Sequence, residues 1–559
     1  LSTSRAELIE LLEELVELLV LEEGGRLSFR ARAFEKACEA VKKGNSQLQH
    51  LSLKKLTQIE GIGKSTAECI REYYKTGAIA RLEALRTSYP AEFVELIRIP
   101  GIGAKTMFRL RDELGIQSVS DLRIAIAAKT IHGLPGMGEA AEEKLSRALD
   151  RLGSKQNRRP IHIVLPVAEL IVKEIKALPE VEHAQYAGSL RRLQETIADI
   201  DILVISTEPA MVLEYFINMP RVADVIVQGE KMASVYLEMG IQVDLRVAPA
   251  AEFGAALLHF SSGRPHNIRL RMRAHDLGYS LNERSLHPRG GDEVIVSETE
   301  EEIYQALGMP WIEPAMRQAS GEIEAAISNT LPLVPQVGDL KGDLHLRCGA
   351  SESAQDLVTK GHSLGYQYLA ITDHGDGRDQ IAVLREEHPD MLILHGTEIG
   401  IAVDGSLDFS EQDRQLFDIA LAGVHSHFEL DEIKQTDRLI FAMEDPSVRI
   451  LTHMLGRRIG SQAGIAIDVD AVLEAAREND VAIEINARLE RLDPPPEIIR
   501  RGCELGNLFV INSAAQCAEE MSNIHYGVTH SHRGWLQRKQ VINTWSRERL
   551  SEWLQEPFG

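Results

Sequence analysis

The stretch 186–205 constrains the fold of this chain more than any other. A Gly188-Ser189 turn and two arginines lead into a β-branched apolar run that carries Asp199 and Asp201. Because side chains alternate faces along a strand, the two aspartates point to one side and their apolar neighbours enter a core. Adjacent carboxylates repel each other without a cation, but they suit one or two Mg²⁺ ions that also hold phosphates.

A third carboxylate on a second strand would complete a two-metal clamp, and Asp244 in the run 241–247 is the natural candidate. The backbone of Gly188 and Ser189, together with Arg192 and its neighbour Arg191, can supply donors to the phosphates of a nucleotide. The alternative is a surface strand whose acids are simply solvated. The coincidence of turn, arginines and acids favours the metal site.

Composition describes ordinary folded domains, several of them. The chain has 559 residues with 44% hydrophobic and 26% charged residues, which predicts three or more domains. Every long apolar stretch is interrupted by charges, so the sequence predicts no membrane span and no signal peptide. The five cysteines are scattered without metal-ligand spacing, which indicates a reducing, cytoplasmic location.

The net charge of −23 is unevenly distributed. The first 160 residues hold 26 Lys and Arg against 22 Asp and Glu, and the remainder holds 35 against 62. A basic front and an acidic rear predict that the front meets phosphates and the rear holds metals or solvated helices.

Three short Gly-x-Gly segments recur in this front, each between helical patterns and with apolar residues at matching positions. Glycines permit a tight turn that brings backbone N–H groups at a helix N-terminus against a phosphate. The segments resemble helix-hairpin-helix motifs, which grip the DNA backbone without reading sequence. A Walker A loop is rejected at Gly63 because the glycine it requires five residues earlier is Gln58. The predicted DNA-binding residues are Gly61, Gly63, Lys64, Gly101, Gly103, Lys105, Gly136 and Gly138.

The 186–205 pattern resembles the nucleotidyltransferase core of the family X DNA polymerases, which include DNA polymerase β. The resemblance implies a two-metal transfer in which a primer 3′-hydroxyl attacks the α-phosphate of a dNTP. Asp199, Asp201 and Asp244 would hold Mg²⁺ or Mn²⁺, and Gly188, Ser189 and Arg192 would bind the triphosphate.

The run 257–283 resembles the family segment that closes over the incoming dNTP, and the match carries Asn267 and Arg271 to nucleotide binding. It departs where the family has Tyr-Phe-Thr-Gly, because His259 replaces the phenol ring, so sugar discrimination stays open. In the small N-terminal domain, the lysine that forms a Schiff base in lyase-active members is Cys69 here. A thiol cannot form the imine, which predicts no deoxyribose-phosphate lyase activity.

After residue 342 the chain changes to short apolar strands that end in histidines and carboxylates, separated by helices. This pattern predicts a βα barrel with a metal site at its top. The region resembles the PHP (polymerase and histidinol phosphatase) domain of bacterial and archaeal family X polymerases, in which active members hold up to three metals. The ligands carried over are His345, Glu352, His374, Glu398, His425 and His453.

Three ligand positions of that pattern depart from it. An arginine, Arg347, replaces one histidine of the opening motif, and Ala514 and Gln516 replace the late aspartate and histidine. The departures predict a trinuclear site that is severely weakened, with Glu398, His425 and His453 left to hold one Zn²⁺ or Mn²⁺. The barrel is then either a structural domain without strong nuclease activity, which we favour, or a nuclease running on a reduced site.

Together these observations predict a multidomain protein with α-helical helix-hairpin-helix domains, an α/β nucleotidyltransferase palm and a C-terminal distorted βα barrel. We expect a cytoplasmic, monomeric, membrane-free DNA polymerase that adds dNTPs at short gaps in gapped or primer-template DNA. The rivals are a repair nuclease acting through the barrel and a non-catalytic DNA-bridging protein. A Pro-bearing linker is equally compatible with an extended and a folded-back barrel. The predicted domains are 1–90 (N-terminal, first hairpin), 91–157 (fingers-like, second and third hairpins), 158–250 (palm), 251–328 (thumb-like), 329–338 (linker) and 339–559 (PHP).

Overall fold

A computed structural model of the chain describes most of its residues, and two compact units, 1–157 and 158–559, contain them. The described residues are 5–22, 29–43, 51–59, 61–76, 78–89, 96, 104–133, 137–138, 142, 145, 158–290, 297–348, 353–372, 378–410 and 416–555.

The first unit is helical wherever it is described. Leu8, Leu12, Leu15 and Leu19 recur at helical spacing on the first helix, and all are fully buried against the helices that follow. Ser52 and Ser118 cap later helices by accepting backbone N–H hydrogen bonds. The helices are α1 (Arg5–Glu22), α2 (Phe29–Lys43), α3 (Leu53–Leu56), α4 (Lys64–Thr76), α5 (Ala80–Ser88), α6 (Ala104–Leu114) and α7 (Val119–Ala127).

The second unit begins with a five-stranded sheet in the order β2-β4-β7-β6-β5. The pair β4–β7 is parallel and the other neighbours are antiparallel. A separate antiparallel pair, β1–β3, lies beside it. The elements are β1 (Arg159–Pro160), α8 (Ile161–Lys176), β2 (Val181–Tyr186), α9 (Gly188–Arg191), β3 (Thr196–Ile197), β4 (Asp199–Ser206), α10 (Pro209–Ile217), β5 (Val222–Gln228), β6 (Met232–Leu237) and β7 (Gln242–Ala248).

A small helical region with a β-hairpin follows the sheet and has its own apolar core. Leu270, Ile303, Tyr304 and Leu307 are completely buried there. Its elements are α11 (Phe253–Ser261), α12 (Arg264–Asp276), β8 (Tyr279–Leu281), β9 (Leu286–Pro288), α13 (Glu300–Ala306) and α14 (Glu322–Ile327).

The rest of the unit is a seven-stranded, all-parallel barrel in sequential order from β10 to β16, which confirms the predicted fold class. The barrel is nearly closed, because Asn543 bridges its seam by donating to the carbonyls of Gly342 and Ile511 at 3.0 and 2.6 Å. The strands are β10 (Gly342–Leu346), β11 (Tyr368–Ile371), β12 (Leu392–Gly400), β13 (Ile419–Gly423), β14 (Val448–Leu451), β15 (Ala482–Asn486) and β16 (Phe509–Asn512). The helices are α15 (Ala354–Ser363), α16 (Arg378–Glu387), α17 (Glu432–Met443), α18 (Val469–Glu478), α19 (Pro496–Leu505), α20 (Ile524–Arg533) and α21 (Arg547–Gln555).

The barrel folds back onto the sheet that begins this unit, which decides between the two arrangements left open by the linker. Ile459, Leu492 and Tyr526 of the barrel belong to the same apolar core as the sheet and α8. The guanidinium of Arg457 donates to both carboxylate oxygens of Glu195 at 3.1 and 3.0 Å. Among the helices that the structure describes, none has the length and apolar character needed to cross a bilayer.

Candidate functional sites

Three aspartates lie together on two neighbouring inner strands of the five-stranded sheet. Asp199 and Asp201 open β4, and Asp244 on β7 is the direct parallel partner of Asp201. Asp199 is exposed, whereas Asp201 and Asp244 are partly buried. The alternation along β4 therefore follows the sequence prediction, and strand pairing brings the third carboxylate beside the first two.

The electrostatics around these three aspartates favour the binding of a cation. Burial, with repulsion from Asp199 and Asp244, raises the pKa of Asp201 to about 6 against the attraction of Arg246. Arg246 Nη1 lies 3.2 Å from Asp201 Oδ1, and its Nη2 lies 3.8 Å from Asp244 Oδ2. Three hard carboxylates, two of which raise the pKa of the third, are a donor set that fits Mg²⁺ or Mn²⁺.

The turn before β4 is fitted closely to the acids. Gly188 has a φ of +61°, and a Cβ at this position would clash with Asp201 Oδ2. The N–H of Ala187 donates to the Asp201 carbonyl at 2.8 Å, which fixes the approach. The hydroxyl of Ser189 is buried and makes no hydrogen bond with the described residues, so it is available to form a hydrogen bond with a ligand.

A cavity of about 570 Å³ joins this turn to the helical region that follows the sheet. Gly188, Ser189, Arg192, Asp199 and Asp201 line it from one side, with Phe260, Ser262, Gly263 and Arg264 on the other. Arg192 donates to the Ser261 carbonyl at 2.6 Å, and burial lowers the pKa of its guanidinium. Cavity and acids thus form one site of nucleotide size.

Asn267 and Arg271 lie behind this cavity. Asn267 Nδ2 donates to the His259 carbonyl at 2.7 Å, and Arg271 Nη2 lies 3.0 Å from His259 Nδ1. Both side chains therefore hold the last turn of helix α11, which carries His259. Their predicted contact with a nucleotide stays a prediction.

The sequence analysis missed the anchor of this site. Arg191 donates to both oxygens of Glu300 at 2.8 Å, and Arg317 donates to the same oxygens at 2.6 and 3.1 Å. These arginines hold the pKa of Glu300 well below its usual range although burial opposes the shift. The partners are 109 and 17 residues apart in sequence, so no local pattern signals them.

The first Gly-x-Gly hairpin is described in the helical unit. Gly61 has a φ of +92° and approaches the Lys36 carbonyl so closely that a Cβ would lie 3.0 Å from it. Gly63 and Lys64 follow, with Lys64 exposed as the first residue of α4. Cys69, on the same helix, is buried in the apolar core.

The other two hairpins are described only in part. The N–H of Glu142 donates to the Gly138 carbonyl at 3.1 Å, as at the start of a helical turn. Gly101, Gly103 and Gly136 lie outside the described residues, as does the side chain of Lys105, which follows the first residue of α6. DNA binding by the eight hairpin residues stays a prediction.

In the barrel, the structure brings together Glu398, His425 and His453. Glu398 Oε1 lies 2.8 Å from His453 Nε2 and 3.3 Å from His425 Nε2. One ligand atom from each residue falls within 4.8 Å of the others, a spacing that fits a single ion. Glu352 and His374 lie outside the described residues.

Among the described residues, the surroundings of this cluster do not favour a larger metal centre. Arg347 forms an ion pair with Glu398 Oε2, so a fixed cation already lies on the carboxylate at the centre of the cluster. Ala514 and Gln516 line the same cavity without offering a charged ligand. Burial lowers the pKa of His453 to about 4, which keeps its imidazole neutral.

Glu484 was overlooked as a partner of His345. Its Oε1 lies 2.6 Å from His345 Nδ1, and its other oxygen accepts from Thr452 and from the N–H of His453. Despite burial, His345 holds the pKa of Glu484 far below its usual range. This carboxylate orients the ring of His345 from inside the barrel.

Comparisons with known proteins agree with this architecture. The DNA polymerase beta thumb model matches residues 256–318, a helix-hairpin-helix domain matches residues 4–79, and a SAM-like helix-hairpin-helix tandem matches residues 93–151. The chain is 25% identical over 320 residues to DNA polymerase lambda of Rattus norvegicus, covering 52% of each. It is 24% identical over 328 residues to DNA polymerase lambda of Arabidopsis thaliana, covering 52% of the chain and 58% of the relative.

The similarity to a third relative extends over the whole chain. The DNA polymerase/3'-5' exonuclease PolX of Bacillus subtilis (strain 168) is 32% identical over 570 residues, which cover 98% of this chain and 99% of the relative. The match therefore spans the hairpins, the five-stranded sheet, the thumb-like region and the barrel. The chain belongs to family X of the DNA polymerases and is a DNA nucleotidyltransferase.

Proposed function

We propose that this polymerase fills short gaps during DNA repair and that its chemistry takes place at Asp199, Asp201 and Asp244. The observation that carries the proposal is the register of β4 and β7, which sets Asp244 beside Asp201. Next to these acids lies the Gly188-Ser189 turn, and both border one cavity of nucleotide size.

In the proposed reaction, the primer 3′-oxygen forms a bond to the α-phosphorus of a dNTP, and the bond to the β-phosphate oxygen breaks to release pyrophosphate. Two divalent ions held by the three aspartates, Mg²⁺ or Mn²⁺, would supply activation of the hydroxyl and charge neutralisation at the leaving group. Ser189 and Arg192 bind the triphosphate, and Arg192 is itself oriented by the Ser261 carbonyl.

Two further residues adjust the site before substrate binds. Arg246 partly neutralises Asp201 and Asp244, and its guanidinium lies 4.4 Å from the centre of the Phe260 ring in the cavity wall. His259, held by Asn267 and Arg271, stands where the family has a tyrosine. The hairpins around Gly61, Gly101 and Gly136 would hold the DNA backbone on the two sides of the gap.

The barrel acts in this proposal as a structural and positioning domain. The ion pair of Arg347 with Glu398, together with Ala514 and Gln516, argues against strong nuclease activity. One Zn²⁺ or Mn²⁺ at Glu398, His425 and His453 remains compatible with the ligand spacing. We further propose a cytoplasmic monomer whose substrates are gapped or primer-template DNA and dNTPs.

The test uses a one-nucleotide-gapped duplex with a 5′-labelled primer, incubated with Mg²⁺ or Mn²⁺, with and without dNTPs. Asp201→Ala should lower primer extension by about 100-fold or more, because the charge stabilisation of the transition state is lost. Asp224→Ala, a partly exposed acid on β5 of the same sheet, serves as the matched control and should extend normally.

Full extension by Asp201→Ala would refute the assignment of the site. Primer shortening without dNTPs that persists in Asp201→Ala would show that the barrel cuts DNA, and would favour the nuclease as a second activity.

A further inference from the structure

Two histidines meet at the end of the barrel opposite the cluster around Glu398. His362 lies in the last turn of α15, and His388 and Asp390 lie in the turn between α16 and β12. Each helix here ends just before the next strand begins, so these residues lie beyond the N-terminal ends of the strands. Glu398 lies six residues along β12 from its first residue, Leu392, a distance of about 20 Å. The second histidine cluster is therefore separate from the first.

The two imidazoles approach each other as closely as two ligands of one metal ion. His362 Nε2 lies 3.1 Å from His388 Nδ1, and the ring centres are 5.1 Å apart, so both nitrogens lie between the rings. A Zn²⁺ ion with tetrahedral angles and bonds of about 2.0 to 2.1 Å would hold two such nitrogens about 3.3 Å apart. An ion can therefore replace the hydrogen that the two nitrogens share, with only a small shift of the rings.

Asp390 supplies a third ligand. One ligand atom from each of His362, His388 and Asp390 falls within 4.8 Å of the others, and Asp390 Oδ2 lies 3.8 Å from His362 Nδ1. The side chain of Asp390 is 74% exposed, so it can rotate towards an ion without disturbing the core. Two imidazoles and a carboxylate, with water in the fourth position, are a donor set that suits zinc.

The surroundings of the two rings also suit a cation. The amide nitrogen of Gln355, on the same helix as His362, lies 3.0 Å from His388 Nε2. When an ion occupies Nδ1 of His388, the proton of this neutral ring moves to Nε2, and the amide oxygen of Gln355 can accept it after a half-turn of the amide. His362 itself lies at the C-terminal end of α15, where the helix dipole is negative.

The turn that carries His388 and Asp390 is held in place by its backbone. The N–H of His388 donates to the Leu384 carbonyl at 2.9 Å. Arg547 Nη1 donates to the carbonyls of Pro389 and Asp390 at 3.3 Å each. Among the described residues this guanidinium forms no ion pair with the Asp390 carboxylate, so the carboxylate keeps its charge for a metal ion. The ligands are thus largely positioned before an ion binds.

We propose that His362, His388 and Asp390 bind one Zn²⁺ ion at the base of the barrel. The ion joins the end of α15 to the turn that enters β12, two segments that meet at the barrel wall. Because it binds only the folded chain, it raises the free energy of unfolding of this part of the barrel.

Hydrogen exchange of the full-length protein, followed by mass spectrometry, tests the proposal at the site itself. The chain is freed of metal and given a series of free Zn²⁺ concentrations set with a chelator, with excess Mg²⁺ to compete for the palm aspartates. At ten times the dissociation constant, amides of the last turn of α15 and of residues 388–391 should exchange about tenfold more slowly, since an opening that releases the ion is disfavoured by that factor. This slowing should be absent in His388→Ala. His275→Ala, an exposed histidine of the thumb-like region, is the matched control and should keep it.

Bound zinc, counted after equilibrium dialysis, provides a second readout. His388→Ala should bind one zinc ion fewer per chain than the wild type, whereas His425→Ala should keep the ion at His388. Asp390→Asn changes an exposed side chain, so the chain should fold normally, and it should weaken binding by about tenfold or more, at least the effect of losing a residue that supports a ligand.

Equal zinc content and equal exchange in the wild type, His388→Ala and Asp390→Asn at every zinc concentration would overturn the proposal. If His388→Ala does not fold, as judged by its thermal melting, Asp390→Asn alone decides, and wild-type zinc affinity in that variant would contradict the site.

Discussion

The buried carboxylate of Glu300 makes the contacts whose loss we expect to damage this enzyme most, apart from the loss of Asp199, Asp201 or Asp244. It accepts hydrogen bonds from Arg191, Arg317 and the indole of Trp311. Its side chain is 3% exposed, and that of Arg317 is fully buried. In Glu300→Gln the negative charge disappears and Arg317 remains in the interior as an uncompensated cation, which costs about 3 to 5 kcal/mol.

Hydrogen exchange of the full-length protein, followed by mass spectrometry, measures this loss where it occurs. Amides of α11 and α13 should exchange roughly 100-fold faster or more in Glu300→Gln, the factor that corresponds to about 3 kcal/mol. Primer extension should fall as well, because Arg191 ends the short helix that begins with Gly188 and Ser189. Glu301→Gln, the exposed neighbour on the same helix, should change neither quantity.

The pH dependence provides an independent check of the same reasoning. The arginines hold the pKa of Glu300 below its value in the unfolded chain. The contribution of Glu300 to the free energy of unfolding is therefore complete above the unfolded pKa and is lost as the pH falls through the folded pKa. The difference between wild type and Glu300→Gln should therefore persist down to pH 5. A difference below about 1 kcal/mol at neutral pH, the range of an exposed pair, would refute the argument.

Three further predictions follow from the site and its surroundings. Asp201→Asn should stabilise the metal-free protein by about 1 to 3 kcal/mol above pH 6, because a folded pKa of about 6 means that the ionised carboxylate lowers the free energy of unfolding. Thermal melting in EDTA measures this gain, which should vanish below pH 4, where the carboxyl group is protonated in both the folded and the unfolded chain. Gly188→Ala should lower gap filling by about tenfold or more through its clash with Asp201, whereas Gly278→Ala, also at positive φ but in open space, should not. Glu195→Gln should weaken the barrel–palm contact by about 1 to 3 kcal/mol, since it leaves Arg457 half-paired in a largely buried place; unchanged hydrogen exchange at residues 457–464 would contradict this.

The palm was predictable from sequence to the extent that its chemistry is local. Period-two alternation put Asp199 and Asp201 on one face, and the Gly-Ser turn marked the phosphate side. The contribution of Arg246 depends on the register of β4 against β7, which pairs Asp201 with Asp244 and brings the arginine two residues further along β7 within reach. Pairing between residues 43 apart in sequence, as in Asp201 and Asp244, leaves no periodic signal, so the sequence could not supply this contact.

The barrel shows the same limit in another form. Resemblance to a known domain identified Glu398, His425 and His453, and the structure brings them together. It also identified Arg347 as foreign to a metal site, but not that its guanidinium would pair with Glu398. The buried carboxylate of Glu484 has no local sequence signal, because its role requires His345 from a strand 139 residues earlier.

Two of the loops that line the cavity beside Glu398, His425 and His453 also bind the barrel to the palm. Arg457, which pairs with Glu195, precedes Arg458, and Leu492, which is buried in the palm core, follows Arg491. Arg458 and Arg491 are thus each one residue from a contact that fixes the barrel's position. The same loops therefore line the cavity and hold the barrel on the palm, so a substitution at either arginine acts on both features.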